Sequence, residues 1–111
     1  MPGDETPSPR GADVWLARLD KTRPVVVLTR DPLGQVLRSV IVGPITSTVR
    51  GLSTEVSVGP SDGVARPSVV NLDNTQLVSR DRLVRRVGAV RPETLERICR
   101  ALAIATGCEP R

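Results

Sequence analysis

Along the first 90 residues, apolar positions recur with a period of two or in short unbroken runs, and polar turn clusters separate them. "VWLARL" (14–19) alternates as a half-buried strand. "DKTR" (20–23) makes a tight connection into "PVVVLT" (24–29), whose continuous run of β-formers predicts a strand covered on both faces. "DPLGQ" (31–35) is a turn by composition, and "RSVIVGPIT" (38–46) a third strand in which Gly43-Pro44 marks a bulge or a strand end. "TEVSV" (54–58) alternates as a fourth strand, and the turn cluster "GPSDGVARP" follows it. "SVVNLDNTQLV" (68–78) reads as one long fifth strand and "LVRRVGAV" (83–90) as a sixth. The period then changes. In "RPETLERICRALAIATG", Leu95, Ile98, Cys99 and Leu102 recur at helical spacing. Pro92 and Glu93 suit the first turn, Gly107 the C-terminal stop, and Val90 can staple onto Leu95. Five or six short strands closed by one C-terminal helix predict a mainly β fold with α: a small twisted barrel with the helix packed on it. There is no internal repeat.

Length and composition narrow this further. The 111 residues suffice for one domain, and with one Trp, no Tyr and no Phe its core must be aliphatic. The polar, Pro-rich stretch 1–12 is expected to be a disordered tail rather than a secretory leader, with the folded domain over 13–107 and a short tail over 108–111. No apolar run approaches the roughly 20 residues of a membrane helix. Cys99 and Cys108 stand nine residues apart, on opposite faces if helical, which argues against a disulfide or metal pair. With no histidine in the chain, the expectation is a reduced, cytoplasmic protein without metal or cofactor.

The net charge of +4 and a basic set that is arginine throughout except for Lys21 suit phosphate binding, although genomic base composition accounts for part of that skew. Glycine-rich phosphate loops and nucleophile elbows are absent, and the lack of histidine excludes His-based acid–base pairs and Ser-His triads. Chemistry must come from Arg, Thr, Ser, Asp and Asn. If the second and third strands pair, Arg23 lies beside Thr46, where a guanidinium and a hydroxyl could hold one phosphate. The plainer reading is a solvated loop residue and an ordinary strand residue. Ser68, Asp73 and Asn74, placed on the fifth strand, could read base edges or orient Arg23; they also fit ordinary edge-strand polarity. Arg80, Arg82, Arg85 and Arg86 read first as a solvated basic face, one that could also steer an anionic partner.

Three segments, "ADVWLARLDKTRPVVVLTR", "VIVGPITSTVRGLSTEV" and "PSVVNLDNTQLV", occur in an order that resembles the MazF/PemK (Kid) family of toxins from bacterial toxin–antitoxin pairs. The resemblance covers roughly residues 13–106. It implies an SH3-like barrel, a homodimer, metal-independent endoribonuclease activity on single-stranded RNA (mRNA, or tRNA or rRNA) and inhibition by a MazE-like antitoxin lying across the active groove. It places the family's Arg on Arg23, its Thr on Thr46, the polar position opening the fifth strand on Ser68 and the acid-then-amide pair on Asp73-Asn74, with Thr22, Ser47 and Thr48 as supporting neighbours. On this reading Pro24 aims the chain so that Arg23 projects into the groove. Many members carry a longer loop before "RP"; its shrinkage here to "DKT" resembles a mycobacterial and actinobacterial branch and removes that loop's contacts. The implied reaction is attack by the RNA 2′-OH on the adjacent phosphorus, leaving a 2′,3′-cyclic phosphate and a 5′-OH. Two alternatives stay open: a toxin of the same fold that poisons DNA gyrase by binding, and a non-catalytic RNA-binding barrel. The ending "IATGCEPR" does not resemble the first, and the lack of aromatics for base stacking disfavours the second.

Overall fold

The unbroken run Val25-Val26-Val27 has its explanation in two apolar layers. All three side chains are 0% exposed, Val26 packing with Val14, Ile45, Val70 and Ile98, and Val25 with Ala17, Val40, Val42 and Val78 on the other face of the sheet. The computed structural model, which describes residues 9–31 and 36–108, contains seven strands and one helix. The strands are β1 (Asp13–Arg18), β2 (Thr22–Val27), β3 (Ser39–Thr46), β4 (Glu55–Val58), β5 (Ser68–Asn71), β6 (Gln76–Ser79) and β7 (Leu83–Ala89); α1 spans Pro92–Thr106.

All of the ladders are antiparallel, in the order β4-β5-β3-β2-β1-β7, and β3 organises them. One of its edges pairs with β6 over 39–42 and with β5 over 45–46, while the other takes β2 over 42–44. A strand shared this way bends the sheet into a roll. The roll is not closed by a ladder between β4 and β7 among the described residues. Its seam is instead bridged where the loop after β4 presses on β7. A Cβ on Gly63 (φ 78°) would lie 2.9 Å from the Gly88 Cα, so this contact admits only glycine.

The expected fifth strand is two strands. Asn71 Oδ1 accepts the Asp73 N–H (3.0 Å) and the Thr75 hydroxyl donates to the Leu72 carbonyl (2.8 Å), which winds Leu72–Asn74 into a 3₁₀ turn between β5 and β6. Local side-chain bonds compete with the ladder here and win. This break brings the count to seven strands instead of five or six.

The helix matches its sequence signals. Pro92 opens it, and Gly107 (φ 71°) ends it while its N–H and that of Cys108 cap the last carbonyls. Val90 and Leu95 share the apolar cluster beneath it. Cys99 and Cys108 are both free and exposed. Pro9 is buried and the Ala12 N–H donates to Val27 O (2.9 Å), so the stretch expected as a tail is tied down from Pro9 onward. Residues 1–8 and 109–111 and most of the "DPLGQ" turn lie outside the described residues. Arg80 is no part of a solvated basic face: it is buried, and its guanidinium donates to Leu37 O (3.1 Å). Among the described residues, no helix is long and apolar enough to cross a membrane.

Candidate active site

The β2–β3 register decides whether Arg23 and Thr46 meet. The β2–β3 ladder ends with Val25 opposite Pro44, and continuing that register would set Arg23 level with Thr46 just beyond it. Both line the walls of two adjoining depressions. In the larger, a groove of about 830 Å³, they are joined by Thr48, Arg50, Asp73 and Asn74; in the smaller, a cleft of about 370 Å³, by Thr22, Ser47, Arg66 and Ser68. The eight residues singled out from the sequence therefore fall on two surfaces that share the Arg23–Thr46 ridge.

Arg23 is not held by Asp73. Its Nε and Nη2 donate side-on to Asp20 Oδ1 (2.9 Å) and Oδ2 (3.0 Å), from the tight connection before β2. The guanidinium holds the Asp20 carboxyl well below the usual carboxylate range, and the same bond raises the Arg23 pKa above its ordinary value. Arg23 is thus a cation at any ordinary pH and no general base. Three of its five N–H groups are left over after the two given to Asp20.

Each remaining wall is fixed by short polar links. The Thr46 hydroxyl accepts the Thr48 N–H (3.1 Å), which leaves its own proton free to donate. The Glu55 carboxylate gathers the N–H groups of Arg50, Gly51 and Leu52, the shortest at 2.8 Å, and so fixes the loop that presents Arg50 to the groove. Asp73 and Asn74 sit on the 3₁₀ turn, not on a strand, and Asp73 Oδ2 accepts the Thr54 hydroxyl. Ser68 is buried and its hydroxyl donates to Arg66 O (3.0 Å), so it braces the loop above it rather than facing the cleft with a free hydroxyl.

Asp20, Arg50, Thr54 and Arg66 were not anticipated. Asp20 had a sequence signal, a carboxylate three residues before the key arginine in a tight turn; Thr54 reaches Asp73 only through the β4–β5 pairing and had none. Among the described residues no three His, Cys, Asp or Glu side chains gather as metal ligands.

The molecule is a small open β-roll capped by a C-terminal helix, with the Arg23–Thr46 ridge between two polar depressions. Residues 10–106 match the family described as PemK-like, MazF-like toxin of type II toxin–antitoxin systems, and the chain belongs to that family. It is 49% identical over 75 residues to endoribonuclease MazF3 of Mycobacterium tuberculosis, covering 68% of this chain and 73% of the relative. With probable endoribonuclease MazF5 of the same species the identity is 42% over 106 residues, covering 93% and 97%. Among solved structures, the Mycobacterium tuberculosis toxin MazF-mt6 superposes with a TM-score of 0.85 at 40% identity, over 88% of this chain and 99% of that one. An endoribonuclease in complex with its cognate antitoxin, from a mycobacterial species, gives 0.84 at 29% identity, over 93% and 99%.

Proposed function

We propose that this MazF-type endoribonuclease cuts single-stranded RNA at the Arg23–Thr46 ridge by directing the RNA's own 2′-OH onto the adjacent phosphorus, with no metal. The observation that carries the reading is the half-used guanidinium. Asp20 fixes Arg23 from one side, and three N–H groups remain for a phosphorane beside the Thr46 hydroxyl. In the reaction the 2′-oxygen loses its proton and bonds to phosphorus, the bond to the 5′-oxygen breaks, and that leaving oxygen takes a proton from solvent, giving a 2′,3′-cyclic phosphate and a 5′-OH. Arg23 and Thr46 neutralise the charge that develops on the non-bridging oxygens. Of the carboxylates lining the groove, Asp20 is committed to Arg23, which leaves Asp73 or water to take the 2′-OH proton. DNA lacks the nucleophile and is spared.

As a toxin the protein is expected to act as a homodimer in the cytoplasm, on mRNA, tRNA or rRNA segments that are single-stranded, and to be silenced by a MazE-like antitoxin that covers the same ridge. The exposed cross-strand pair Ile41–Leu77 gives a second copy an apolar surface to cover. Incubation of the purified protein with single-stranded RNA in EDTA tests the chemistry. Fragments should carry 5′-OH ends that a kinase labels directly and 3′ ends that resist ligation until the cyclic phosphate is removed. Intact RNA, or 5′-phosphate ends, would defeat the reading, and intact RNA would favour the gyrase-binding alternative.

A further inference from the structure

The two depressions that meet at Arg23 differ in charge. The groove sets Arg23 and Arg50 against Asp20 and Asp73, so its formal charges cancel, and its wall adds the apolar Leu19, Pro44 and Ile45 and uncharged polar side chains that include Thr48, Asn74 and Gln76. The cleft is lined by Lys21, Arg23 and Arg66 and, among the described residues, by no carboxylate. Neither Lys21 nor Arg66 forms an ion pair with a described residue. Asp20 lines the groove but not the cleft, so it shields Arg23 on the groove side alone. The cleft wall is also held in place. The Ser68 hydroxyl grips Arg66 O, and Pro67 restricts the Arg66 backbone to an extended form.

We infer that the two depressions divide the work of holding RNA: the cleft, through Lys21 and Arg66, seats a phosphate of the RNA backbone flanking the cut, and the groove, through Asn74 and Gln76, reads base edges. The inference rests on the RNA-cleaving function above and adds a direction to it, since the strand must cross the Arg23–Thr46 ridge from a cationic side to a neutral one. Lone ammonium and guanidinium groups attract phosphate whatever the sequence, whereas amides offer the paired donor and acceptor that a base edge requires. A flanking phosphate on the groove side would instead meet Asp20 and Asp73 beside Arg23 and Arg50, with no net positive charge to hold it.

The two arms are separable because charge and sequence readout leave different traces. A mixed-sequence 2′-O-methyl RNA, which lacks the nucleophile, serves as an uncleavable binding probe across a salt series, and sequencing of fragment ends from ordinary RNA gives the cleavage motif. Lys21→Ala and Arg66→Ala should each weaken binding several-fold at low salt and lower the slope of log affinity against log salt by about 0.7, one single-strand phosphate contact. The motif should stay the same, and Arg66→Lys should restore the slope, which a merely structural residue would not do. Asn74→Ala and Gln76→Ala should keep the slope and loosen or shift the motif at a single position. Cleft variants that alter the motif at constant slope, or amide variants that lower the slope at constant motif, would overturn the division. So would cleft variants that bind RNA like wild type but fail to bind an acidic antitoxin peptide, since the cleft would then belong to the antitoxin. Wild-type protein that neither binds nor cuts RNA removes the functional reading and this inference together; wild-type protein that cuts, with no response in the variants, removes the inference alone.

Discussion

Two of the three arginine–aspartate pairs among the described residues share one chemistry and differ in what surrounds them. Arg91 donates its backbone N–H (3.0 Å) and Nε (3.2 Å) to Asp62, whose side chain is 1% exposed, and so ties the loop after β4 to the start of α1. Arg23 donates to Asp20 with equal or better geometry, yet Asp20 is 69% exposed and only three residues away. The first pair closes a 29-residue separation and gives a helix start that lacks a side-chain cap a buried acceptor. The second closes nothing. In water, a pair of that kind contributes little to stability, so its ordered geometry is useful chiefly for where it points a guanidinium. Burial and chain separation, rather than bond length, decide which pair supports the fold and which is left to serve the proposed site.

The hardest test of that contrast removes Arg23. Arg23→Ala should lower RNA cleavage by about two to three orders of magnitude, the scale of losing one transition-state donor. Its melting temperature should hardly move, because the side chain lies at the strand mouth and outside both valine clusters. Thr46→Ala should follow with a smaller loss. Arg23→Lys should recover only part of the rate, since an ammonium keeps the charge and loses the fork. A folded Arg23→Ala protein cutting at the wild-type rate would place the chemistry elsewhere.

Asp62→Ala should invert the pattern. It orphans the Arg91 N–H and opens a buried site, which is worth about 2 kcal/mol or about 10 °C in Tm, while kcat of the folded fraction stays within about twofold. The pair also gives the fold an acid dependence. Burial pushes the Asp62 carboxyl up, but the bonds from the Arg91 main chain and side chain, with Thr94, outweigh it, so the folded pKa lies below the ordinary value. A carboxyl depressed in the folded state binds its proton more readily when unfolded. Its contribution is therefore complete above about pH 4 and is lost as pH falls through the folded value. The stability gap between wild type and Asp62→Ala, measured by urea unfolding, should be constant from neutral pH down to about pH 4 and shrink below it.

What could be read from the sequence follows the same division between local and distant causes. Val25–Val27, Pro92 and Gly107 announce themselves because a two-sided strand and helix ends are written in adjacent residues. Arg23 and Thr46 were legible because strand pairing in a small β-roll brings their ends together. The 3₁₀ turn was not, because "NLDNT" sits inside an apolar run whose β signal masks two local side-chain bonds. Nor was the burial of Arg80, whose carbonyl partner Leu37 lies 43 residues back, or the link between Asp73 and Thr54, which exists only once β4 lies beside β5. Asp20 was local, yet it was read as part of a turn and not as a partner.

Asp20 supplies the smallest and most discriminating effect. Asp20→Asn keeps the size of the side chain and one acceptor but loses the two-point grip on Arg23, and it removes a negative charge from the groove. Loosening a guanidinium that must meet a transition state lowers the rate of the chemical step, and about a tenfold fall in kcat is expected. Removing the charge acts on the other parameter: RNA phosphates are repelled less, so KM should stay constant or fall. A merely structural contribution would give neither the split nor a rescue, whereas Asp20→Glu, which restores a carboxylate at a longer reach, should recover part of kcat. Because the Arg23 guanidinium keeps the Asp20 carboxyl well below the ordinary range, Asp20 carries its charge throughout any practical assay pH. Its substitution should therefore scale the pH–rate profile without moving the acid limb, which belongs to another group. A variant whose KM rises at unchanged kcat would show that Asp20 serves RNA binding instead, and that the exposed pair does not aim Arg23 for the proposed chemistry.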